Sequence, residues 1–244
     1  MVFDLDLIYN DNYFLVLNKP PGLTVQRDKT ESLSLQEILR QKLRLTKSCF
    51  LEAVHRLDRP VSGLVIFAKN KEVFQRLSLL FAQRQVKKIY WAVVEAKPPQ
   101  SEAILENYLV TNKRYNKSYA HPVSSLHPAN ASLSYFLCGQ SERYYFLIIE
   151  LFTGKQHQIR AQLSACGCPI KGDVKYGAKR SNPDRSIMLH AAGLAFSHPL
   201  TGNPLAFKAL PPANILWDIF LTKSAHCLNI DKIGTTLQNG IIRG

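Results

Sequence analysis

The chain has 244 residues, 46% of them apolar, which is ordinary for a globular fold and enough for one large domain or two small ones. Its 31 Lys and Arg outnumber 18 Asp and Glu for a formal charge of +13, a positive field that favours polyanions such as RNA, with DNA or an anionic membrane surface as the other candidates. Apolar runs such as Tyr144 to Ile149 are too short to span a bilayer, Met1-Val2-Phe3-Asp4 lacks the features of a signal peptide, and five cysteines without a CxxC pair argue against a disulfide framework or a zinc site. The expected setting is a reducing cytoplasm, with the cysteines, Cys166-Gly-Cys168 included, as ordinary thiols.

Taken in order, Leu7 to Leu17 sets apolar stretches on either side of Asn10-Asp11-Asn12, which predicts two short strands and a tight turn. Lys19-Pro20-Pro21-Gly22 ends them, either as a rigid loop lining a cleft or as a plain strand terminator. Ser34 and Glu37 form a capping box for a helix with Leu35, Ile38, Leu39 and Leu43 on one face. Ala53 to Lys69, AVHRLDRPVSGLVIFAK, then joins two apolar strands through a turn that carries His55, Arg56, Asp58 and Arg59. A carboxylate between two arginines, closed by Ser62-Gly63 and followed by Leu64-Val65-Ile66-Phe67, sits where a sheet can aim it into a cleft.

Lys71 to Gln85 spaces Val73, Phe74, Leu77, Leu80 and Phe81 as a core-facing helix. Ile89 to Val94 reads as a strand ended by Pro98-Pro99, and Ala103 to Val110 as another. Thr111 to Asn130 is polar and basic and predicts an exposed loop or insertion. It is either a solvated connector or, because Tyr115 and Tyr119 interleave with Lys113, Arg114 and Lys117, a stacking surface for RNA. Ser132 to Leu137 and Arg143 to Phe152 form a hairpin around Gly139 to Glu142. Thr153 and Gln156 predict a second capping box, opening a helix from Gln156 to Ser164 with Ile159 and Leu163 buried and Arg160 able to reach a cleft. Ile187 to Phe196 and Leu205 to Phe207 close the pattern as a strand pair. Beyond Phe220 periodicity fades, so residues 1–220 are expected as one domain and 221–244 as a tail. Strands and helices in no regular βαβ order favour an α+β fold.

His55-Arg56-Leu57-Asp58 with Ser62-Gly63-Leu64 resembles the HRLD..TSGL signature of the RluA family of RNA pseudouridine synthases. The family pattern continues in order with Lys19-Pro20-Pro21-Gly22, Lys88-Ile89-Tyr90, and Thr153-Gly154-Lys155-Gln156-His157-Gln158-Ile159-Arg160. Gly172-Asp173 with Tyr176-Gly177, and Leu189-His190 with His198-Pro199, complete it over roughly residues 8 to 213. The resemblance implies a pseudouridine synthase fold: one bilobed α+β domain with a central mixed, mostly antiparallel sheet and a basic cleft. It also implies a monomer without an appended S4-type module. Val61 stands where threonine is usual and Lys155 where arginine is frequent, which bears on substrate contacts and leaves Asp58, Tyr90 and Arg160 untouched.

Pseudouridine formation breaks the N1–C1′ bond, turns the base and rejoins it through C5; nothing is oxidised, so it needs no redox cofactor, and no metal site is expected. It does need an ionised carboxylate, acting on C1′ as nucleophile or on C2′ as base, and Asp58 fits that need. A guanidinium alongside keeps such a group charged, and the resemblance gives this part to Arg160. Tyr90 matches the family's active-site tyrosine, which stacks on the base and handles a proton; from the residues alone a core tyrosine is the plainer reading. Arg56 matches the arginine that fills the gap left by the flipped uridine. His55, Arg59, Lys19, Lys88, Lys155 and His157 complete the expected RNA contacts, with His55 readable also as a hydrogen-bonded turn residue. The competing readings are an RNA-binding assembly factor or chaperone on the same fold, and a glycosidase with Asp173 as a second carboxylate.

Overall fold

The computed structural model describes residues 5–27, 33–46 and 48–223. In chain order these form β1 (Asp6–Asn10), β2 (Phe14–Lys19), α1 (Leu35–Lys42), β3 (Glu52–Ala53), β4 (Ser62–Ala68), α2 (Lys71–Ala82), β5 (Lys87–Val94), β6 (Glu102–Asn112), β7 (Lys117–His121), β8 (Ala131–Gln140) and β9 (Tyr145–Leu151). There follow α3 (Gln158–Ala165), a 3-10 turn at Val174–Tyr176, β10 (Leu189–Ser197), β11 (Pro204–Lys208) and α4 (Ile215–Lys223). Two compact units result. The first takes the described residues up to Val86 together with Ala191–Pro212; the second takes Lys87–His190 and α4.

In the first unit the strands lie in the order β1-β2-β4-β10, with β3 also on β4 and β11 on β10. Alternate residues of each strand face one core: Phe14 and Val16, Leu64 and Ile66, Leu194 and Phe196, joined by Phe207 and by Val73 and Leu77 of α2. The other face is covered too, since all seven residues of β4 are buried. The Asn70 side chain caps α2 by accepting from the Val73 amide at 2.9 Å, and Ser34 and Glu37 close the expected box on α1. Gly63 has φ +118°, and a Cβ there would come within 2.5 Å of the Ala191 nitrogen and nearer still to its carbonyl oxygen. Only glycine allows β10 to lie that close to β4.

The second unit orders its strands β5-β9-β8-β6-β7, and each of these neighbours pairs antiparallel. Phe146 of β9 meets Trp217 edge-on at 6.1 Å and stacks on Phe220 at 5.4 Å, which seats α4. The helix runs on to Lys223, past the boundary expected at 220; residues 224–244 of the expected tail lie outside the described residues.

Two elements differ from expectation. Residues 111–130 are not all loop, because Lys117–His121 returns as β7 against β6, Tyr119 opposite Val110 and Ser118 opposite Thr111. The helix after Thr153 starts later, at Gln158, with His157 at φ +53° preceding it and no side chain capping it. In place of a capping box, Thr153 Oγ donates to Gln158 Oε1 at 2.7 Å and the Lys155 amide donates to the same oxygen at 3.1 Å.

Candidate active site

In the first unit, Asp58 sits half-buried on the β3–β4 loop, between exposed Arg56 and Arg59. That loop and the Lys19–Gly22 loop are laced together: the Gly22 amide donates to Arg59 O at 2.8 Å, and Arg59 Nε returns a bond to Gly22 O at 2.9 Å. Lys19 has no exposed surface, and its Nζ reaches Pro20 O and Leu23 O at 2.9 Å and Arg59 O at 3.3 Å. Burial pulls the Lys19 ammonium down to about 7 while the Asp58 charge pushes it up. Three carbonyl acceptors also favour the form with three N–H bonds. Asp58 is thus carried on a backbone cross-braced through a buried lysine, with that lysine within its electrostatic reach. His55 Nε2 accepts from the Ile66 amide at 3.3 Å and its ring stacks on Phe81 at 4.7 Å, which ties the loop to β4 and α2.

In the second unit, Tyr90 lies half-buried on β5 opposite Ile149 of β9. Lys88, on the same strand, is buried and directs Nζ to Thr153 O at 3.4 Å. Beyond Thr153 a chain of buried amides sets α3: Gln158 Nε2 donates to Gln162 Oε1 at 3.0 Å, and Gln162 Nε2 to Asn107 Oδ1 at 2.8 Å. Arg160 is 5% exposed and meets Asp173 with Nε to Oδ2 at 2.6 Å and Nη2 to Oδ1 at 2.9 Å. Its guanidinium carbon lies 4.8 Å from the centre of the Tyr176 ring. Tyr176 is itself a junction, since its hydroxyl bonds His157 Nδ1 at 2.9 Å and accepts from the Ser118 amide at 2.8 Å.

The expected site residues therefore fall into two groups. Lys19, His55, Arg56, Asp58 and Arg59 gather in the first unit; Lys88, Tyr90, Lys155, His157 and Arg160 belong to the second. Lys19 and Lys88, expected on RNA, are 0% and 8% exposed and bind backbone carbonyls of their own units. Both ammonium groups face backbone carbonyls rather than solvent. Arg56, Arg59 and Lys155 are exposed as phosphate contacts require. Asp173 and Tyr176 have no place in the expected site, although both stand in the Gly172-Asp173 and Tyr176-Gly177 pairs of the sequence pattern. Gly172 there has φ +90°, and a Cβ would fall 2.7 Å from Asn182 Nδ2, which accounts for the glycine ahead of Asp173.

Chemically, the first unit offers a half-exposed carboxylate on a cross-braced loop, and the second a phenol and a guanidinium held by two bonds to Asp173. Among the described residues no cluster of three His, Cys, Asp or Glu could hold a metal ion. No helix among them is long and apolar enough to cross a membrane.

The same fold occurs in human RNA Pseudouridylate Synthase Domain Containing 1, with TM-score 0.72 and 23% identity over 90% of this chain and 89% of that one. Human RNA Pseudouridylate Synthase Domain Containing 4 gives TM-score 0.69 and 23% identity, covering 90% and 93% of the two chains. The architecture is thus the α+β pseudouridine synthase fold. The sequence agrees: the family model described as RNA pseudouridylate synthase matches residues 13–165, a stretch that holds Asp58, Tyr90 and Arg160. The tRNA pseudouridine synthase C of Yersinia pestis is 30% identical over 228 residues, 84% of this chain and 86% of its own, and that of Vibrio parahaemolyticus 29% over 226 residues, 84% and 90%. Ribosomal large subunit pseudouridine synthase C of Buchnera aphidicola is 33% identical over 210 residues, 82% of this chain and 64% of its own. The chain belongs to the RluA-type family of RNA pseudouridylate synthases, and it is an isomerase.

Proposed function

We propose that this enzyme converts a specific uridine of transfer or ribosomal RNA to pseudouridine, with Asp58 as the catalytic carboxylate. The observation that carries the assignment of Asp58 is its setting, a half-exposed carboxylate whose loop is tied to the Lys19–Gly22 loop by reciprocal backbone and side-chain bonds. A group that acts on C1′ or C2′ while the base is detached must hold its position, and cross-bracing supplies that. Two RNA classes enter because the relatives' names divide between tRNA and the large ribosomal subunit.

In this reading Tyr90 faces the base and handles its proton, Arg160 is the fixed guanidinium of the site, and Arg56 fills the gap in the RNA stack. His157, Lys155 and Arg59 contact the RNA; His55, Lys19 and Lys88 hold the loops on which the others depend. Asp173 takes the Nε and Nη2 donors of Arg160 and meets its charge, which fixes the guanidinium's position on α3. Nothing is oxidised in the isomerisation, so no cofactor is invoked. A reducing cytoplasm is inferred from the cysteine pattern of the sequence, and a monomer from the family resemblance.

Release of tritium from RNA labelled at uridine C5 tests the reading, because only formation of the C–C bond exchanges that position. The wild type is expected to release it from tRNA or rRNA. Asp58→Asn is expected to abolish release while RNA affinity stays within about tenfold, since phosphate contacts dominate binding. Full release by Asp58→Asn would remove the assignment, and absence of release by the wild type on both RNA classes would leave the binding-protein alternative.

A further inference from the structure

The β6–β7 hairpin has no part in the reaction as assigned above, yet its two faces are very unlike. In the register Leu109, Thr111, Ser118 and Ala120 alternate to one side, and Tyr108, Val110, Lys117, Tyr119 and His121 to the other. The first side is occupied: Leu109 and Ala120 pack with Ala161 and Tyr176, and Ser118 gives its amide to Tyr176 Oη at 2.8 Å and its hydroxyl to Gln156 O at 2.7 Å. On the second side Tyr119 and Val110 are 42% and 43% exposed, and Tyr115 at the turn is 60% exposed.

The exposed rings come with cations placed on them. Lys117 Nζ lies 5.4 Å from the centre of Tyr119 and 5.1 Å from that of Tyr176, reaching both the exposed and the buried ring, and the Arg114 guanidinium carbon lies 5.7 Å from the centre of Tyr115. From Asn107 to Asn130 the chain has Lys113, Arg114 and Lys117 and no Asp or Glu, so the turn end of the hairpin is positive; Glu106, exposed on the same side of β6 two residues before Tyr108, is the nearest acidic residue along the strand. Exposed aromatic rings interleaved with Lys and Arg suit a polyanion whose flat groups are available for stacking. Duplex RNA keeps its bases stacked on one another, whereas an unpaired strand can present them to a ring.

We propose that the hairpin face bearing Tyr115, Lys117 and Tyr119 docks unpaired bases of the substrate RNA, which stack on the two tyrosines while Lys113, Arg114 and Lys117 meet the adjoining phosphates. The proposal rests on the RNA-isomerase reading and adds a contact surface to it. The surface is held in place by Tyr176, which bonds Ser118 on the hairpin and His157 ahead of α3 and lies against Arg160. Bases docked there are held by the same unit that holds Arg160, so the hairpin serves binding and leaves the chemical step alone.

The test compares Tyr115→Ala/Tyr119→Ala with Tyr115→Phe/Tyr119→Phe, each measured for binding of an unstructured oligouridine and of a blunt RNA duplex at one salt concentration. The alanine pair is expected to weaken the single strand by about tenfold or more, since each stacked base contributes that much by alanine substitution, and to leave the duplex nearly unchanged. The phenylalanine pair should bind both as the wild type does, and KM for tritium release should rise in the alanine pair with kcat unchanged. The exposed single variant Tyr115→Ala serves the same comparison should the double variant not melt cooperatively. Wild-type single-strand binding by the alanine variants, or equal weakening of both RNAs, would overturn the docking surface. Loss of tritium release in the wild type would instead defeat the isomerase reading, and the binding comparison would still decide the surface.

Discussion

Arg160 and Asp173 lie edge to edge, two N–H groups on two carboxylate oxygens, with their side chains 6% and 1% exposed. A pair so far from water is costly to break from one side, because the remaining charge stays buried without its partner.

Asp173→Ala is therefore expected to destabilise the enzyme by about 3–5 kcal/mol, the usual cost of removing one member of a buried ion pair. Asp173→Asn keeps one acceptor for the guanidinium and should cost less. Chemical denaturation of the three proteins measures both, and an alanine variant as stable as the wild type would show that the pair does not hold α3 to the Val174–Tyr176 turn.

Lys19 predicts a pH dependence. Its folded-state pKa is pulled down to about 7 from 10.5 by burial, against the Asp58 charge. Between those values the unfolded chain binds more protons than the folded one, so this residue makes stability rise with pH across the window from about 7 to 10.5. Below about 7 both states are protonated, and the cost of burying the charge is fully present. The difference in denaturation midpoint between wild type and Lys19→Met should accordingly move in favour of the wild type as pH is raised from 7 to 9. A difference constant over that range would mean that Lys19 does not titrate there.

Two glycines of the sequence pattern should respond in opposite ways to alanine. Gly63→Ala forces a Cβ into the backbone of Ala191 at a φ of +118°, and the variant is expected to fold poorly or not at all. Gly154→Ala places its Cβ no closer than 3.9 Å to Lys88 Nζ and should melt near the wild type. Thermal melting of the soluble fraction reports both, and a well-folded Gly63→Ala would contradict the close approach of β10 to β4.

The strands of the first unit were readable because burial on both faces leaves continuous apolar runs such as Leu64 to Phe67. β7 was not, since its inward residues, Ser118 and Ala120, are small or polar and give no alternation of hydrophobicity. Thr153 and Gln156 have the spacing of a capping box, but His157 in a left-handed conformation delays the helix and passes the bond to Gln158. The order of the site motifs was plain in the chain. The partners were less so: Asp173 reads as part of a turn, and nothing local to Arg160 marks it as the carboxylate thirteen positions on. Lys19 reads as a surface cation beside two prolines, because the three carbonyls that bury it converge only once the loops are folded.

The interleaving of β4 and β10 has a consequence during synthesis. The frame that carries Asp58 needs Ala191–Ser197 alongside Gly63, and the ribosome delivers that strand only after all five strands of the second unit. A nascent chain stalled before Ala191 would hold a sheet with one bare apolar edge, the kind of surface that chaperones cover and that neighbouring chains can pair with. The carboxylate assigned to the chemistry is made early and is framed among the last, so truncation anywhere upstream of β10 leaves a polypeptide without a finished site.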